Sequence, residues 1–236
     1  MKILAILRKE LQTYFYSPAA YIVFGSFLLI VGYLFWIVLV SSKVANLEPL
    51  LYNAAFILLL ASPVLTMRLV SEERRSNTIE LLLTSPISPV EIVIGKFLAC
   101  FLLYLILIGL TLQYPAILHA YAQNLDWGPI ISGYIGLILL GAAFIAFGMF
   151  ASSVTENQVI SAMITFGGLL LFWIFGWAKL VLDNTLGEVM SRLSLFERYQ
   201  EFLKGMVDSG NVVFFLIFTI TWLFIATRVL ESDRWR

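Results

Sequence analysis

The sequence predicts an all-α polytopic membrane protein with six transmembrane helices. Six apolar stretches, each close to or above 20 residues, run through the 236-residue chain, and an α-helix needs about 20 mostly apolar residues to cross the hydrocarbon core of a bilayer. Hydrophobic residues make up 61% of the chain and charged residues 13%, against about 25% charged residues in soluble domains. We therefore expect one transmembrane domain over residues 1–236.

The first expected element is an amphipathic helix within residues 1–18. Its apolar side chains recur at helical spacing, while Lys2, Arg8 and Lys9 lie mostly on the other side. The apolar positions are Ile3, Leu4, Leu7, Leu11, Tyr14 and Phe15. A basic amphipathic helix of this kind lies in the membrane interface, and Pro18 separates it from the first span. The alternative is that these residues extend the first span into the cytosol.

The spans follow in order, and the basic residues predict their orientation. We expect spans at residues 19–40, 50–70, 92–118, 130–152, 159–182 and 212–230. Lys and Arg precede the first span, surround the connection between spans two and three, and end the chain. Six spans place all three groups on one side, which the positive-inside rule makes cytoplasmic. Both termini are therefore predicted to be cytoplasmic, although a mixed group of basic and acidic residues precedes span six on the other side.

The spans carry almost no ionisable residue. Ion-coupled carriers usually place such a group near the bilayer midplane, and neither H-E-x-x-H nor G-x-S-x-G occurs in the chain. Gly95 and Lys96 lack the other residues of a Walker phosphate loop, so we interpret Lys96 as a basic anchor at the start of span three. We expect a protein without catalytic residues, cofactor or metal; if ATP drives it, the ATPase is another chain.

Small residues are concentrated in span four. They are Gly141, Ala142, Ala146, Gly148 and Ser152. Spacings of three to four residues let neighbouring helices approach closely, so we favour packing within the bundle over a functional hinge.

A polar segment, residues 71–91, separates spans two and three. Charges lie at its start, Ile79, Leu82 and Leu83 form an apolar helical face, and prolines close it. A short amphipathic helix at a membrane surface suits docking into a groove of another protein. A solvated loop is the alternative, and periodicity alone does not separate the two.

Three stretches carry a resemblance to a known family. The run E-E-R-R-S-N-T-I-E-L-L-L-T-S-P-I-S-P-V-E-I-V-I-G-K at residues 72–96 resembles the segment after the second span in type-2 ABC exporter permeases, and gliding-motility-associated permease subunits look closest. The resemblance extends to V-T-E-N-Q at 154–158 and to residues 196–208. It covers the order and number of the spans across essentially the whole chain.

The resemblance implies the membrane subunit of an ABC exporter in a bacterial inner membrane. Such a subunit moves a substrate outward using ATP hydrolysis by a separate nucleotide-binding subunit, which binds ATP and Mg. One six-span chain is half a conduit, so we expect a second copy or a paralogous permease as partner, with lipid contact and no nucleic acid. The competing hypothesis is a membrane scaffold or non-ABC carrier whose cytoplasmic loops recruit other partners.

The resemblance also implies two sets of site residues. The candidate contacts with the ATPase subunit are Glu72, Glu73, Arg74, Arg75, Glu80, Leu82, Leu83 and Thr84, with Glu156, Asn157 and Gln158 as a secondary contact. Charged rim residues would set the register and the leucines would anchor. The extracellular segment 183–211 resembles short helices that, in family members, fold back into the outer leaflet and could cap an exit pathway. The candidate residues of such helices are Phe196, Tyr199, Phe202 and Leu203. An ordinary surface hairpin is the alternative.

Overall fold

The computed structural model describes residues 2–42, 46–76, 78, 87–121, 125–178, 182 and 185–233, and these are predominantly helical. In chain order the helices are α1 (Lys2–Tyr16), α2 (Pro18–Ser42), α3 (Glu48–Thr66), α4 (Ser71–Arg75), α5 (Pro89–Thr111), α6 (Gln113–Tyr121), α7 (Trp127–Val154), α8 (Gln158–Ile174), α9 (Thr185–Arg192), α10 (Leu195–Leu203) and α11 (Ser209–Asp233).

Within the described residues, six helical stretches are long and apolar enough to cross a membrane. They are Ala20–Val40, Glu48–Arg75, Pro89–Tyr121, Trp127–Val154, Gln158–Trp177 and Ser209–Ser232. The predicted all-α, six-span architecture is therefore confirmed.

Helix α7 lies at the centre of the bundle. It packs against α3, α5, α8, α10 and α11, and 72% of its most apolar window is buried, against 17% for α8 and for α11. The outer helices instead expose apolar side chains such as Leu29 on α2, Met163 on α8 and Ile220 on α11. Such surfaces are stable against lipid or another subunit, since neither requires polar groups there.

Span two is interrupted between α3 and α4, and a serine from α7 satisfies the backbone at the break. The Ser152 hydroxyl accepts hydrogen bonds from the backbone N–H groups of Val70 and Ser71, each at 3.0 Å, and donates to the Met67 carbonyl at 3.2 Å. Free N–H groups at a helix start are costly without a partner when buried. Ser152 therefore holds the start of α4 against the end of α7.

Span three is divided into α5 and α6, where the sequence predicts one span over 92–118. Pro115 has no N–H to donate to the carbonyl of Thr111, four residues earlier, so the α-helical bonding cannot continue. The Tyr134 hydroxyl, from α7, donates to that carbonyl at 3.0 Å. A neighbouring helix thus satisfies the group that proline leaves free.

The α-helix of span five is shorter than the predicted 159–182. It ends at Ile174 and tightens into a 3-10 turn, Phe175–Trp177. A Cβ atom on Gly176 would lie 3.0 Å from the Ser194 hydroxyl oxygen, so the turn before α10 packs directly on this glycine. Residues 179–181 lie outside the described residues.

Candidate functional site

Helix α1 is packed onto the start of α5. Ile6 is buried, and a Cβ atom on Gly95 would lie 2.9 Å from the Ile6 Cγ2 atom. Near the other end of α1, the Tyr14 hydroxyl donates to the Leu65 carbonyl of α3 at 2.8 Å. The helix predicted within residues 1–18 is thus present as Lys2–Tyr16, separated from α2 by Ser17. Its position in a membrane interface stays a prediction.

Four charged side chains, Lys9, Glu10, Glu73 and Lys96, meet where α1, α4 and α5 converge; we call them the ion cluster. The Lys96 ammonium lies 2.7 Å from Glu10 Oε1 and 3.0 Å from Glu73 Oε1. The Lys9 ammonium lies 3.1 Å from Glu73 Oε1 and 3.9 Å from Glu10 Oε1. One buried lysine of α5 therefore binds a carboxylate from α1 and a carboxylate from α4.

The ion cluster is electrically balanced, and its exposure falls from Lys9 to Lys96. Only 2% of the Lys96 side chain is exposed, against 13% for Glu73 and 59% for Lys9. Burial lowers the pKa of the Lys9 ammonium and the Glu73 carboxylate raises it, with a net shift above the ordinary value. Removing one charge from such a buried group leaves its partners uncompensated, which costs more than the pair itself contributes.

The interpretation of Lys96 as a basic anchor was wrong. An anchor would extend its ammonium into the headgroup region, whereas this side chain is buried beneath α1 and α4. The sequence did contain a signal: Lys96 is the sole Asp, Glu, Lys or Arg in the predicted span 92–118. A lone charge in an apolar run requires a partner, but the sequence does not say which residue supplies it.

The structure places the first four predicted contact residues on α4, in two environments. Glu72 and Arg75 are exposed, whereas Glu73 and Arg74 are partly buried. The Glu73 carboxylate points into the ion cluster and is bound there by two ammonium groups. The predicted residues Glu80, Leu82, Leu83 and Thr84 lie outside the described residues. The contact of all these residues with an ATPase subunit stays a prediction.

The secondary contact segment lies at the same end of the bundle, because α4 packs against both α7 and α8. We call this end, which holds α1, α4, the first turns of α5 and the last turns of α11, the α4 end. Asn157 caps α8, since its side-chain oxygen accepts from the Val159 N–H at 2.9 Å. Glu156 is exposed and Gln158 is half-buried. Glu156 is therefore the charged residue of this segment, and it is exposed at the surface.

The predicted exit-pathway residues lie at the opposite end, on α10. Phe196, Tyr199, Phe202 and Leu203 are all buried. Helix α10 packs against α3, α7 and α8. The Tyr199 hydroxyl donates to the Leu51 carbonyl at 3.2 Å, and the Ser132 hydroxyl donates to the Phe202 carbonyl at 2.6 Å.

A glycine of α7 makes this close approach possible. A Cβ atom on Gly136 would lie 2.7 Å from Phe202 Cβ and 3.0 Å from the Tyr199 ring. Helix α10 is thus seated within the bundle, while α9, just before it, exposes Leu186 and Val189. A role of α10 in an exit pathway stays a prediction.

Cysteine labelling should distinguish a seated α10 from a surface hairpin. In a background with Cys100 replaced by Ala, cysteines at Phe202 and Leu203 should react at least about tenfold more slowly with an impermeant maleimide than a cysteine at Met206. Met206 follows α10 directly and is 56% exposed, and reaction of a buried thiol requires local opening of the structure. Equal rates at the three positions would show that α10 lies on the surface.

Within the described residues, no group of three or more His, Cys, Asp or Glu side chains is placed to hold a metal ion.

A family model described as ABC-2 family transporter protein matches residues 52–195, which is more than half of the chain. The matched region contains α4, the start of α5 and the Glu73–Lys96 ion pair. No curated protein matched the chain. Together with the six membrane-spanning helices found among the described residues, this match shows that the chain belongs to the ABC-2 transporter family and is an integral membrane permease component of an ABC transporter.

Proposed function

We propose that this permease is one half of an exporter driven by a separate ATPase subunit, which binds ATP and Mg and docks at the α4 end. The observation that carries the proposal is the ion cluster. It joins α4, the short helix that follows span two, to a buried lysine of span three and to the N-terminal helix.

The ion cluster provides a rigid connection from the surface into the bundle. Separating Glu73 from Lys96 would leave each of them with one partner fewer in a largely water-excluded site, Lys96 with Glu10 and Glu73 with Lys9. Loss of a partner by a buried group costs about 1–3 kcal/mol. A movement of α4 therefore costs less free energy when α5 moves with it. Because Lys96 also binds Glu10, the same movement carries α1. A movement of α4 caused by docking or release of an ATPase would thus be transmitted directly to α5, a membrane-spanning helix.

The two exposed charges of α4 are suited to set the register of the docked subunit. Glu72 and Arg75 have opposite charge and are accessible, and rim charges at an interface govern specificity and the rate of association. Glu73 has a further role in this proposal: besides its predicted contact with the partner, it transmits the movement of α4 through its ion pair with Lys96. Glu156, at the start of α8, is the accessible charge of the secondary contact.

Orientation and assembly complete the proposal. Basic residues are frequent at the α4 end, so this end faces the cytoplasm by the positive-inside rule, and both termini are cytoplasmic in a bacterial inner membrane. The exposed apolar faces of α2, α8 and α11 leave room for lipid and for a second permease chain, either a copy or a paralogue. Two permease chains with two ATPase chains would form the exporter, and transport would be outward.

A pull-down from mild detergent tests the docking surface. The tagged permease, co-expressed with a candidate ATPase carrying a Walker motif, should retain that ATPase in stoichiometric amount. The charge-reversing variants Glu72→Arg and Arg75→Glu should each reduce its recovery at least about tenfold, which corresponds to about 1.4 kcal/mol of binding.

The matched control is Glu188→Arg, the same change at an exposed glutamate of α9 at the opposite end of the bundle. This variant should retain the ATPase fully. If Glu188→Arg and Glu72→Arg lose the ATPase equally, docking at α4 is wrong. If the unaltered permease retains no ATPase while its dimer is intact, the scaffold or carrier hypothesis is favoured instead.

A further inference from the structure

A groove lies on the outer surface of the bundle, between the first turns of α5 and the last turns of α11. Its cavity volume is about 300 Å³. The α5 wall is formed by Val90 and Val93, and the α11 wall by Ile220, Leu223 and Phe224. All five side chains are apolar. On a membrane-spanning bundle, this groove opens towards the lipid.

The end of the groove nearest the α4 end carries one ion pair. The Arg228 guanidinium donates to Glu231 Oε2 at 2.7 Å, and it also lies 4.8 Å from the centre of the Phe224 ring. The Arg228 side chain is 63% exposed and that of Glu231 is 34% exposed. Both charges can therefore bind a further group without being taken out of contact with water.

The groove thus has a polarity gradient along α11. From Ile220 to Arg228 the helix rises about 12 Å, which is close to the depth of one leaflet of a hydrocarbon core about 30 Å thick. Glu231 lies about 4.5 Å further along the axis. The order from the membrane interior outward is an apolar channel, then a cation, then an anion.

We propose that this groove binds a zwitterionic phospholipid with an ammonium headgroup, of the phosphatidylethanolamine type, from the leaflet at the α4 end. An acyl chain lies along the apolar walls, the phosphate accepts hydrogen bonds from Arg228, and the ammonium donates to Glu231. In such a lipid the phosphate is nearer the acyl chains than the ammonium, which is the order of the two protein charges. A phosphatidylglycerol headgroup would offer Arg228 the same phosphate, but it would place an uncharged glycerol beside Glu231 instead of an ammonium.

The occupant follows from this order of charges. An apolar helix of another subunit would also cover the apolar walls, but it would supply neither an anion for Arg228 nor a cation for Glu231. The proposal concerns a binding site and is independent of ATP-driven transport. Failure of the ATPase pull-down would therefore leave it standing, and failure of lipid binding would leave the permease function standing.

Native mass spectrometry of the purified permease tests the proposal directly. The protein in mild detergent is titrated with dioleoyl phosphatidylethanolamine and, separately, with dioleoyl phosphatidylglycerol, which has no ammonium. We expect the ethanolamine lipid to bind about tenfold more tightly, since its ammonium adds one charge-assisted contact to Glu231. Equal binding of the two lipids, or tighter binding of the glycerol lipid, would overturn the proposal.

Two variants separate headgroup recognition from the apolar channel. The double variant Arg228→Glu with Glu231→Arg keeps the charges and their pairing but reverses their order, so the tenfold preference should disappear. The single variant Glu231→Gln should abolish the same preference if the double variant does not fold. Retention of the preference by either folded variant would overturn the proposal.

The third variant, Val90→Trp, fills the groove and should lower binding of both lipids about tenfold or more. Its control is Ile217→Trp on α11, an exposed position outside the groove lining, which should bind like the unaltered protein. Full binding by Val90→Trp would place the lipid elsewhere. Binding of the ethanolamine lipid to the monomer but not to the permease dimer in the same experiment would show that a second chain occupies the groove. That result would also overturn the proposal.

Discussion

Replacing Lys96 with Met should lower the free energy of unfolding by about 3–5 kcal/mol, the usual cost of removing one partner from a buried ion pair. Met keeps most of the side-chain volume but supplies no charge, so the carboxylates of Glu10 and Glu73 remain in a largely buried site with only Lys9 to neutralise them. The change is measured by denaturant titration of the purified permease in detergent micelles.

Lys9→Met is the matched control, because it makes the same substitution within the same cluster. The Lys9 side chain is 59% exposed, and exposed ion pairs contribute about 0–1 kcal/mol. The effects of Lys96→Met and Lys9→Met on the free energy of unfolding need not add when the two substitutions are combined, because both lysines bind Glu10 and Glu73. Equal destabilisation by Lys96→Met and Lys9→Met would show that Lys96 is not buried among these charges in the folded protein.

A compensating substitution separates charge from packing. In Lys96→Met with Glu73→Gln, one uncompensated carboxylate is removed along with the ammonium, so this double variant should be more stable than Lys96→Met alone. We expect recovery of about 1–3 kcal/mol, the range for a buried polar group that has lost its partner. Absence of any recovery would indicate that the loss in Lys96→Met comes from the shape of the side chain.

Replacing Gly141 with Ala should destabilise the bundle by about 1–3 kcal/mol, the usual cost of overpacking a core. The added Cβ atom would contact the ring of Tyr104 at a separation that real atoms do not reach. Tyr104 is buried, and its hydroxyl donates to the Leu137 carbonyl at 2.6 Å, which restrains the ring. Helices α5 and α7 must therefore move apart, and the same denaturant titration measures the result.

Gly109→Ala is the control, because Gly109 is also a glycine within a membrane-spanning helix. A Cβ atom there would have no neighbouring atom within 4 Å. Its effect should be neutral or stabilising by up to about 1 kcal/mol, since alanine is favoured over glycine inside a helix. If Gly141→Ala were as well tolerated as Gly109→Ala but impaired transport, the hinge interpretation of span four would be favoured over packing.

The small residues of span four show how much could be predicted from a spacing. Gly141 and Gly148 were expected to allow close approach, and a Cβ atom on them would overlap the side chains of Tyr104 and Thr66, respectively. The sequence could not name those two partners, because they come from α5 and α3. Ser152 was expected only to be small, whereas its hydroxyl also bonds the backbone at the start of α4.

The class of protein, the number of spans and the places where polar segments interrupt them could all be predicted from the order of residues. These properties are local, because a bilayer requires about 20 consecutive apolar residues for each span. The break at Pro115 was not predicted, although it too has a local cause: proline lacks the N–H group that would bond the carbonyl four residues earlier. The helix at residues 2–16 and the charged start of α4 likewise follow from short-range periodicity and composition.

Which charges face outward and which are paired inside depends on how the helices pack. Glu72 and Glu73 are adjacent and identical in the sequence, yet one is exposed and the other binds Lys96, which is 23 positions later in the chain, in a site completed by Glu10 of α1. The physical reason is that hydrophobic periodicity describes the face of one helix, whereas an ion pair depends on the distance between two helices. That distance is set by packing: for Glu10 and Lys96, it is the packing of α1 on α5, where Ile6 lies against Gly95.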